Sequence, residues 1–142
     1  MNPTVTLPIV EKTESSPIKT ESSPIKNEQP SYAMQKIGTI YFSRNSYFID
    51  LKSRKELQRV INLVNKDLPI KVLVYGHTDI TTGVNNLILS RSRAKAVEKY
   101  MLPKIKGPKI STGWYASSKP ASKGSSATAL AKNRRVDVYI LY

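Results

Sequence analysis

The sequence predicts an α/β (α+β) domain, a two-layer sandwich in which helices pack on a mixed four-stranded sheet. Apolar, β-branched runs alternate with stretches of helical periodicity, in the order β-α-β-α-β-(α)-β. The helical stretches are long enough to act as crossover connections between strands of one sheet. With 142 residues and 39% hydrophobic content, the chain can bury one modest core.

Residues 1–34 are predicted to be a disordered linker, and residues 35–142 the folded domain. Residues 13–19 and 20–26 both read TESSPIK. The proline in each copy, among Ser, Thr, Glu and Lys, opposes both a coiled coil and a packed core. Fully extended at roughly 3.3 Å per residue, the linker would reach at most about 110 Å. It could therefore tether the domain at a distance from another structure.

The first half of the domain is predicted to contain a strand and a helix. The run IGTIYF at 37–42 is β-branched and aromatic, and the polar bend SRNS follows it. A helix is predicted over 51–66, with Asp50 as its N-cap. Its apolar positions recur at helical spacing and form one face, so the basic residues of the helix are predicted to face solvent. These positions are Leu57, Val60, Ile61 and Val64.

The next pair of elements is predicted from IKVLVYG at 70–76 and the helical pattern that follows. The nearly continuous apolar run suits a strand that is buried on both faces or flanked by other strands, and Gly76 ends it. Asn85 or Asn86 is predicted to cap the second helix, which stops before Pro103. The predicted apolar stripe contains Leu89, Ala96 or Val97, and Tyr100 or Met101.

The last three elements are shorter. KISTGWY at 109–115 predicts a third strand, and ATALAKN at 127–133 predicts a short helix. RVDVYILY at 135–142 predicts the final strand, in which Val136, Val138 and Ile140 alternate with Asp137 and other residues of the opposite face.

Charge and composition limit the function classes. After residue 34 the chain carries 20 Lys and Arg against 6 Asp and Glu, a net charge of +14, so the domain should attract polyanions or carboxylate-rich surfaces. No Cys is present, which rules out disulfides and cysteine metal sites. The N-terminus lacks the pattern of a signal peptide, so the chain is expected to be either cytosolic or a processed form.

The candidate site follows the second predicted strand. Ligands tend to bind beyond the carboxyl ends of strands in open α/β sheets, and Asp79 lies there. On the next helix, Asn86 and Arg93 are seven residues apart and should point the same way, whereas Arg91 and Lys95 should face water. A carboxylate beside a guanidinium suits a zwitterion, whose ammonium Asp79 would accept and whose carboxylate Arg93 would bind.

These residues carry a family resemblance. Gly76-His77-Thr78-Asp79, Asn86, Leu89-Ser90, Arg93-Ala94 and Val97 form the pattern, with IYF at 40–42, Pro120 and AKNRRVDVYI at 131–140. The pattern resembles the OmpA-like peptidoglycan-binding domain of outer-membrane protein A, peptidoglycan-associated lipoproteins and MotB-type stator proteins. It covers residues 37–142, and the combination is far more specific than any single piece.

The resemblance implies a noncatalytic module that binds the diaminopimelate of a peptidoglycan stem peptide, without cofactor or metal. Asp79 would bind the amino group and Arg93 the carboxylate. Asn86 and Leu89 would line the pocket, and Thr78 would support the loop through its backbone. Arg134 would add positive charge.

The resemblance also implies a location and a set of partners. The expected location is the periplasm or cell envelope, associated with the outer membrane, and a membrane would be reached only through a segment not present in this chain. Peptidoglycan is the expected partner, other envelope proteins are open as partners, and no nucleic acid is expected.

Three departures from the family pattern stand out. Ser43 replaces the family's Asp or Asn, and the loop between Asp79 and Asn86 is one residue shorter than usual. Trp114 and Ala116 stand where glycines are usual.

Structural interpretations of the same residues remain open. Asp79 could be a turn former, Arg93 a solvated helix residue or a structural partner of Asp79, and Asn86 a helix cap. Arg134 and Arg135 could be solvated at the start of a strand.

For His77, the single histidine, a structural loop role is favoured, and no site of two or three His ligands can form. Trp114 and Tyr115 fit core and rim packing better than a platform for sugars.

Two other function classes compete. A domain of charge +14 would bind phosphate, so a basic nucleic-acid-binding α/β module is the alternative, although GTIYF and DVYIL lack the aromatic signature of an RNA-recognition sheet. A wall-degrading enzyme is disfavoured because the six acidic residues are scattered and one His would have to serve every role.

Overall fold

A computed structural model of the chain describes residues 33–81 and 85–142, and residues 34–142 form one compact unit. The linker and TESSPIK repeats predicted for residues 1–34 lie outside the described residues, apart from residues 33 and 34. Four strands and three helices follow in the predicted order. They are β1 (Met34–Tyr41), α1 (Leu51–Asp67), β2 (Lys71–Gly76), α2 (Asn86–Met101), β3 (Lys109–Trp114), α3 (Ala127–Asn133) and β4 (Arg135–Leu141).

The strands form one mixed sheet in the order β1-β4-β2-β3. β2 pairs with β3 in parallel, and β4 pairs antiparallel with both β1 and β2. The two central strands are therefore β2 and β4, which explains the nearly continuous apolar run of β2. The predicted mixed four-stranded α/β sandwich is confirmed.

The first strand is longer than its predicted apolar run. It begins at Met34 rather than Ile37, and a register shift between Lys36 and Gly38 places Ile37 in a bulge. The β-branched signal began only at Ile37, because the residues before it are polar or exposed at the sheet edge.

Helix α1 follows the prediction closely. The carboxylate of Asp50 accepts a hydrogen bond from the backbone N–H of Ser53, which is an N-cap contact. All four predicted apolar positions are buried, and the helix ends at Leu68 in a left-handed conformation.

Helix α2 turns a different face to the core than its hydrophobic residues alone suggested. Val97 and Met101 are buried, whereas Leu89 is only partly buried. The rest of the buried face is small or polar and consists of Ser90, Arg93 and Ala94. The helix begins at Asn86, and Asn85 occupies the N-cap position as predicted. Asn85 has a φ of 64°, and its side chain makes no capping hydrogen bond.

The core lies between the sheet and the two long helices. Its buried residues are Ile37, Ile40, Phe42, Leu57, Val60, Ile61, Val64, Val72, Val74, Ala94, Val97, Met101, Val136, Val138 and Ile140. None of the helices in residues 33–81 and 85–142 combines the length and apolar character needed to cross a membrane.

Candidate functional site

The candidate site lies at the edge of the sheet where β2 ends. Gly76 at the end of β2 pairs with Val136 near the start of β4 and with Trp114 at the end of β3. β1 ends at the same edge, because Tyr41 pairs with Arg135. The segments that follow β1, β2 and β3 therefore meet the residue that precedes β4.

Asp79 is completely buried in the loop after β2. Its Oδ1 accepts hydrogen bonds from the backbone N–H and the hydroxyl of Thr81, at 2.8 and 2.7 Å. Its Oδ2 lies 3.2 Å from Nη1 of Arg134. Asp79 thus closes a local turn, as the structural interpretation predicted, and also carries a negative charge beside a guanidinium.

Arg93 is also completely buried, and its guanidinium links three loop carbonyls. Nε donates to Ser46 at 2.8 Å, Nη1 to His77 at 2.9 Å and Nη2 to Ser43 at 3.0 Å. The interpretation of Arg93 as a solvated helix residue is therefore wrong. Arg91 and Lys95 are exposed, as predicted.

Burial lowers the pKa of Arg93 to about 10, although the nearby carboxylate of Asp79 acts in the opposite direction. Arg134 lowers the pKa of Arg93 further, because it is a second positive charge. Arg93 still carries its proton at neutral pH. The site therefore contains two guanidinium groups and the carboxylate of Asp79.

Arg134 reaches into the site from the residue before β4. Its Nε donates to the carbonyl of Phe42 at 3.0 Å, and its Nη1 contacts Asp79. Its side chain is 20% exposed. Arg134 is therefore a partner of Asp79 rather than a solvated residue, whereas the next residue, Arg135, is buried on the other face of the sheet.

Three further predicted site residues lie in the loop after β2 and on the first turns of α2. Thr78 is buried, and its backbone N–H donates to the carbonyl of Ala116 at 2.8 Å, as expected for support of the loop. Within residues 33–81 and 85–142, the buried Oγ1 of Thr78 and Oδ1 of Asn86 have no hydrogen-bond partner. Leu89 is partly buried on the first turns of α2.

His77 is the first residue of the loop after β2. Its backbone N–H donates to the carbonyl of Arg135 at 2.9 Å, and its ring stacks on Tyr115 with centroids 5.5 Å apart. Burial, together with the positive charges of Arg135, Lys36 and Lys119, lowers the pKa of His77 to about 3. The ring is therefore neutral, and its contacts agree with the predicted structural role.

The role of the loop after β1 could not be predicted from the sequence. The departure from the family pattern at Ser43 concerns its side chain. In the structure, it is the backbone carbonyls of Ser43 and Ser46 that bind Arg93. Backbone carbonyls carry no residue-specific signal, and these contacts join residues 47 and 50 positions apart.

Comparison with known proteins identifies the family. The model of the OmpA family matches residues 41–134. The peptidoglycan-associated lipoprotein of Buchnera aphidicola subsp. Baizongia pistaciae is 33% identical over 105 residues, which cover 72% of this chain and 60% of that protein.

Solved structures show the same architecture. The peptidoglycan-associated lipoprotein from Burkholderia pseudomallei is 25% identical, with a TM-score of 0.65 over 75% of this chain and 91% of that chain. The C-terminal domain of Helicobacter pylori MotB is 24% identical, with a TM-score of 0.66 over 72% of this chain and 84% of that chain. The chain belongs to the OmpA family.

Proposed function

We propose that this domain binds peptidoglycan without catalysing its turnover, and that its ligand group is the diaminopimelate of the stem peptide. The observation that carries the proposal is the buried carboxylate of Asp79 beside the guanidinium groups of Arg93 and Arg134, at the edge of the sheet. The names of the relatives support peptidoglycan as the ligand. The chain spans 60% of the length of the Buchnera relative, so the activity of a whole protein is part of the proposal.

The chemistry of the ligand fits the charges of the site. The side-chain end of diaminopimelate carries an ammonium and a carboxylate on one carbon. Asp79 would receive the ammonium, and Arg93 would bind the carboxylate, since each of its Nη nitrogens carries a second N–H beyond the one used for a loop carbonyl. Each charge of the ligand end would then face a group of opposite sign, the ammonium facing Asp79 and the carboxylate facing Arg93.

The surrounding residues complete the proposed pocket. The buried oxygens of Thr78 and Asn86 have no hydrogen-bond partner among the residues that the structure describes. They would accept N–H bonds from the ligand ammonium, because buried polar atoms usually have a partner. Leu89 would pack against the ligand's methylene groups. Arg134 would hold the carboxylate of Asp79 in place and add positive charge.

The proposed ligand determines the location. Peptidoglycan would place the domain in the periplasm or cell envelope, and we propose that it is associated with the outer membrane. Other envelope proteins would be partners of the whole assembly.

The test is cosedimentation of the full chain with sacculi that contain diaminopimelate and with sacculi that contain lysine instead. A lysine side chain keeps the ammonium but lacks the carboxylate that Arg93 would bind. The variant is Asp79→Asn, which removes the charge and keeps an oxygen acceptor for Thr81. The matched control is Asp67→Asn, which makes the same change at an exposed position whose carboxylate bonds the hydroxyl of Tyr142.

We expect Asp79→Asn to weaken binding to diaminopimelate sacculi by about tenfold or more, since a charged hydrogen bond contributes roughly 1.5–3 kcal/mol. Asp67→Asn should bind like the unmodified chain, and lysine sacculi should bind weakly. Equal pelleting of both variants on both kinds of sacculi would reject diaminopimelate recognition, and release of soluble wall fragments would reject a noncatalytic role.

A further inference from the structure

A second surface lies on the side of α2 that faces away from the core, and we call it the α2 outer face. At 100° per residue, its exposed side chains fall within an arc of about 120° around the helix. Three cations and three large apolar side chains share this arc. They are Leu87, Ile88, Arg91, Lys95 and Lys99 of the helix, and Leu102 directly after it.

The apolar side chains of the α2 outer face are well exposed. Leu87, Ile88 and Leu102 are 58%, 59% and 57% exposed. The first two lie on the first turn of α2 and the third follows its last residue, so they bracket the cations. Single exposed apolar residues are common on protein surfaces. Several of them interspersed with cations along one side of a helix are typical of a surface that lies at a membrane interface.

The charge of the α2 outer face is positive. Lys95 lies 3.3 Å from Glu98, the one acidic residue of α2, and both side chains remain partly exposed to water. Three exposed cations against one carboxylate leave a net charge of +2 on this side of the helix. The surface therefore attracts anions.

The α2 outer face extends to Trp114 on the edge strand β3. The guanidinium of Arg91 lies 5.4 Å from the centroid of the Trp114 ring, which is partly buried. Arg93 lies about 160° from Arg91 around the helix and contacts the loop after β1 instead. The α2 outer face is thus directed towards the β3 edge of the sheet, away from the candidate site.

Helix α1 provides an internal contrast. It also exposes cations, among them Lys52 and Lys55, but between them and its end lie Gln58 and Asn62, whose side chains bond each other at 2.9 Å. In α1, which lies wholly within the described residues, Leu51 is the exposed large apolar residue. The mixture of apolar and basic side chains is therefore a property of α2, not of every helix in this basic domain.

We propose that the α2 outer face binds the surface of a bilayer that contains anionic phospholipids. Lysine and arginine pair with lipid phosphates and are attracted by the negative surface potential. The leucine and isoleucine side chains enter the boundary between headgroups and acyl chains, as those of interfacial helices do. The ring of Trp114 suits the same boundary, where tryptophan is favoured. The helix lies on the bilayer and does not cross it.

A nucleic acid fits the α2 outer face less well. Its phosphates attract the cations, but it offers the exposed leucine and isoleucine side chains no apolar phase to enter. It would also be attracted to the basic surface of α1, because attraction by phosphate depends on charge alone. The combination of cations with apolar side chains therefore favours a lipid surface.

Contact with a bilayer leaves the candidate site accessible, because Arg93 and the α2 outer face lie on opposite sides of the helix. The inference does not depend on the peptidoglycan ligand proposed above. Phospholipid vesicles contain no peptidoglycan, so the two proposals fail separately.

The test is cosedimentation of the full chain with vesicles of phosphatidylcholine alone and with vesicles of equal parts phosphatidylcholine and phosphatidylglycerol. Oligothymidine at the same phosphate concentration serves as a polyanion without an apolar interior. Lys95→Gln/Lys99→Gln removes two charges from the α2 outer face. The matched control is Lys71→Gln/Lys109→Gln, which removes two charges from paired positions on the opposite face of the sheet.

A second pair of variants tests the apolar contact. Ile88→Gln removes an apolar side chain from the α2 outer face, and Leu51→Gln makes a matched change on the first turn of α1. Both residues are 59% exposed, so neither substitution disturbs the core. Urea unfolding followed by circular dichroism confirms that the variants are folded.

We expect the chain to bind anionic vesicles at least about tenfold more tightly than phosphatidylcholine vesicles. Lys95→Gln/Lys99→Gln should weaken binding to anionic vesicles by about tenfold or more, and Ile88→Gln by about fivefold. Both control variants should stay within about twofold of the unmodified chain.

Four results would each overturn the inference. They are a lack of binding to anionic vesicles, equal effects of the two lysine pairs, vesicle binding by Ile88→Gln as tight as that of the unmodified chain, and tighter binding to oligothymidine than to anionic vesicles. The last two would assign the α2 outer face to attraction of polyanions by charge alone.

Discussion

At the scale of single residues, Arg93 has a structural role in addition to its proposed role in ligand binding. A buried guanidinium is tolerated only where its N–H groups find acceptors, and here they find the carbonyls of Ser43, Ser46 and His77. The charge also lies close enough to Asp79 for the carboxylate to raise its pKa against the effect of burial. The residue proposed to bind the ligand therefore also ties the loop after β1 to the loop after β2.

Arg93→Lys should destabilise the domain by roughly 2–4 kcal/mol, because one ammonium on a linear chain cannot reach three carbonyls and leaves buried acceptors unpaired. The measurement is urea unfolding followed by circular dichroism. Arg91→Lys is the control, since Arg91 is exposed on the same helix with its guanidinium 5.4 Å from the Trp114 ring. A loss for Arg93→Lys no larger than that for Arg91→Lys would contradict the structural role.

The single histidine makes stability depend on pH. Burial, with the nearby charges of Arg135, Lys36 and Lys119, lowers the pKa of His77 to about 3 in the folded state, against about 6.5 when unfolded. Asp137 lies 3.5 Å from Nε2 but is already paired with Arg135. Below about pH 6.5 the unfolded chain binds a proton at His77 that the folded chain does not bind. The contribution of the neutral, buried His77 to the free energy of unfolding is therefore complete above about pH 6.5 and is lost as the pH falls towards 3.

Between pH 7.5 and pH 5 the free energy of unfolding should fall by about 2 kcal/mol, at up to 1.4 kcal/mol per pH unit. Urea unfolding at several pH values measures the slope. Because the chain has one His, His77→Gln should remove this slope above the range where carboxylates titrate. The same slope in the variant would assign the pH dependence to other groups.

At the scale of elements, the position of α2 depends on one glycine. A Cβ built on Gly76 would overlap the carbonyl oxygen of Ser90, so the helix lies directly on the end of β2. This contact places Ser90 where its hydroxyl accepts from the backbone N–H of Ala116 at 3.1 Å. It also sets Arg93, less than one turn further along, against the loop carbonyls. The spacing of the site thus follows from helix–sheet contact.

Gly76→Ala should cost roughly 3 kcal/mol or more, because backbone atoms of a helix cannot move aside as a flexible side chain can. It should also weaken binding to sacculi, since α2 carries Arg93. Gly107→Ala is the control: a Cβ there meets nothing within 4 Å, and only its φ of 101° opposes the substitution. Gly76 itself has no positive φ, so a Gly76→Ala variant as stable as the unmodified chain would contradict the overlap with the helix.

The elements themselves were largely readable from the sequence. Periodicity located α1 with its four buried apolar residues, and its predicted Asp50 cap is confirmed. Helix α2 was harder, because its buried face includes Ser90 and Arg93, which a count of hydrophobic residues places in solvent. The predicted N-cap position of Asn85 is confirmed, but its left-handed conformation and the lack of a side-chain capping bond could not be predicted, since composition does not specify them.

At the scale of the whole molecule, the sheet topology brings together site residues that are far apart in the sequence. Asp79 and Arg134 are 55 positions apart, yet their side chains are 3.2 Å apart because β2 and β4 are antiparallel neighbours. The resemblance to the OmpA-like domain named both residues. Periodicity alone brought only Asp79 and Arg93 together, because these lie in consecutive segments of the chain.

The net charge of +14 after residue 34 should determine how binding responds to salt. The Debye length is about 10 Å at 0.1 M salt and about 3 Å at 1 M, so attraction between dispersed lysines and wall carboxylates fades as salt rises. Contacts made by buried groups such as Asp79 are screened much less.

Binding to diaminopimelate sacculi should therefore weaken by about tenfold between 50 and 500 mM salt, as steering by the surface charge is lost. The ratio of affinities between the unmodified chain and Asp79→Asn should stay constant or grow over the same range, because the buried carboxylate acts at short distance. Binding isotherms of both proteins at four salt concentrations give this ratio. A ratio that falls towards one at high salt would mean that Asp79 acts only as part of the general charge of the surface, and that recognition of the wall is electrostatic throughout.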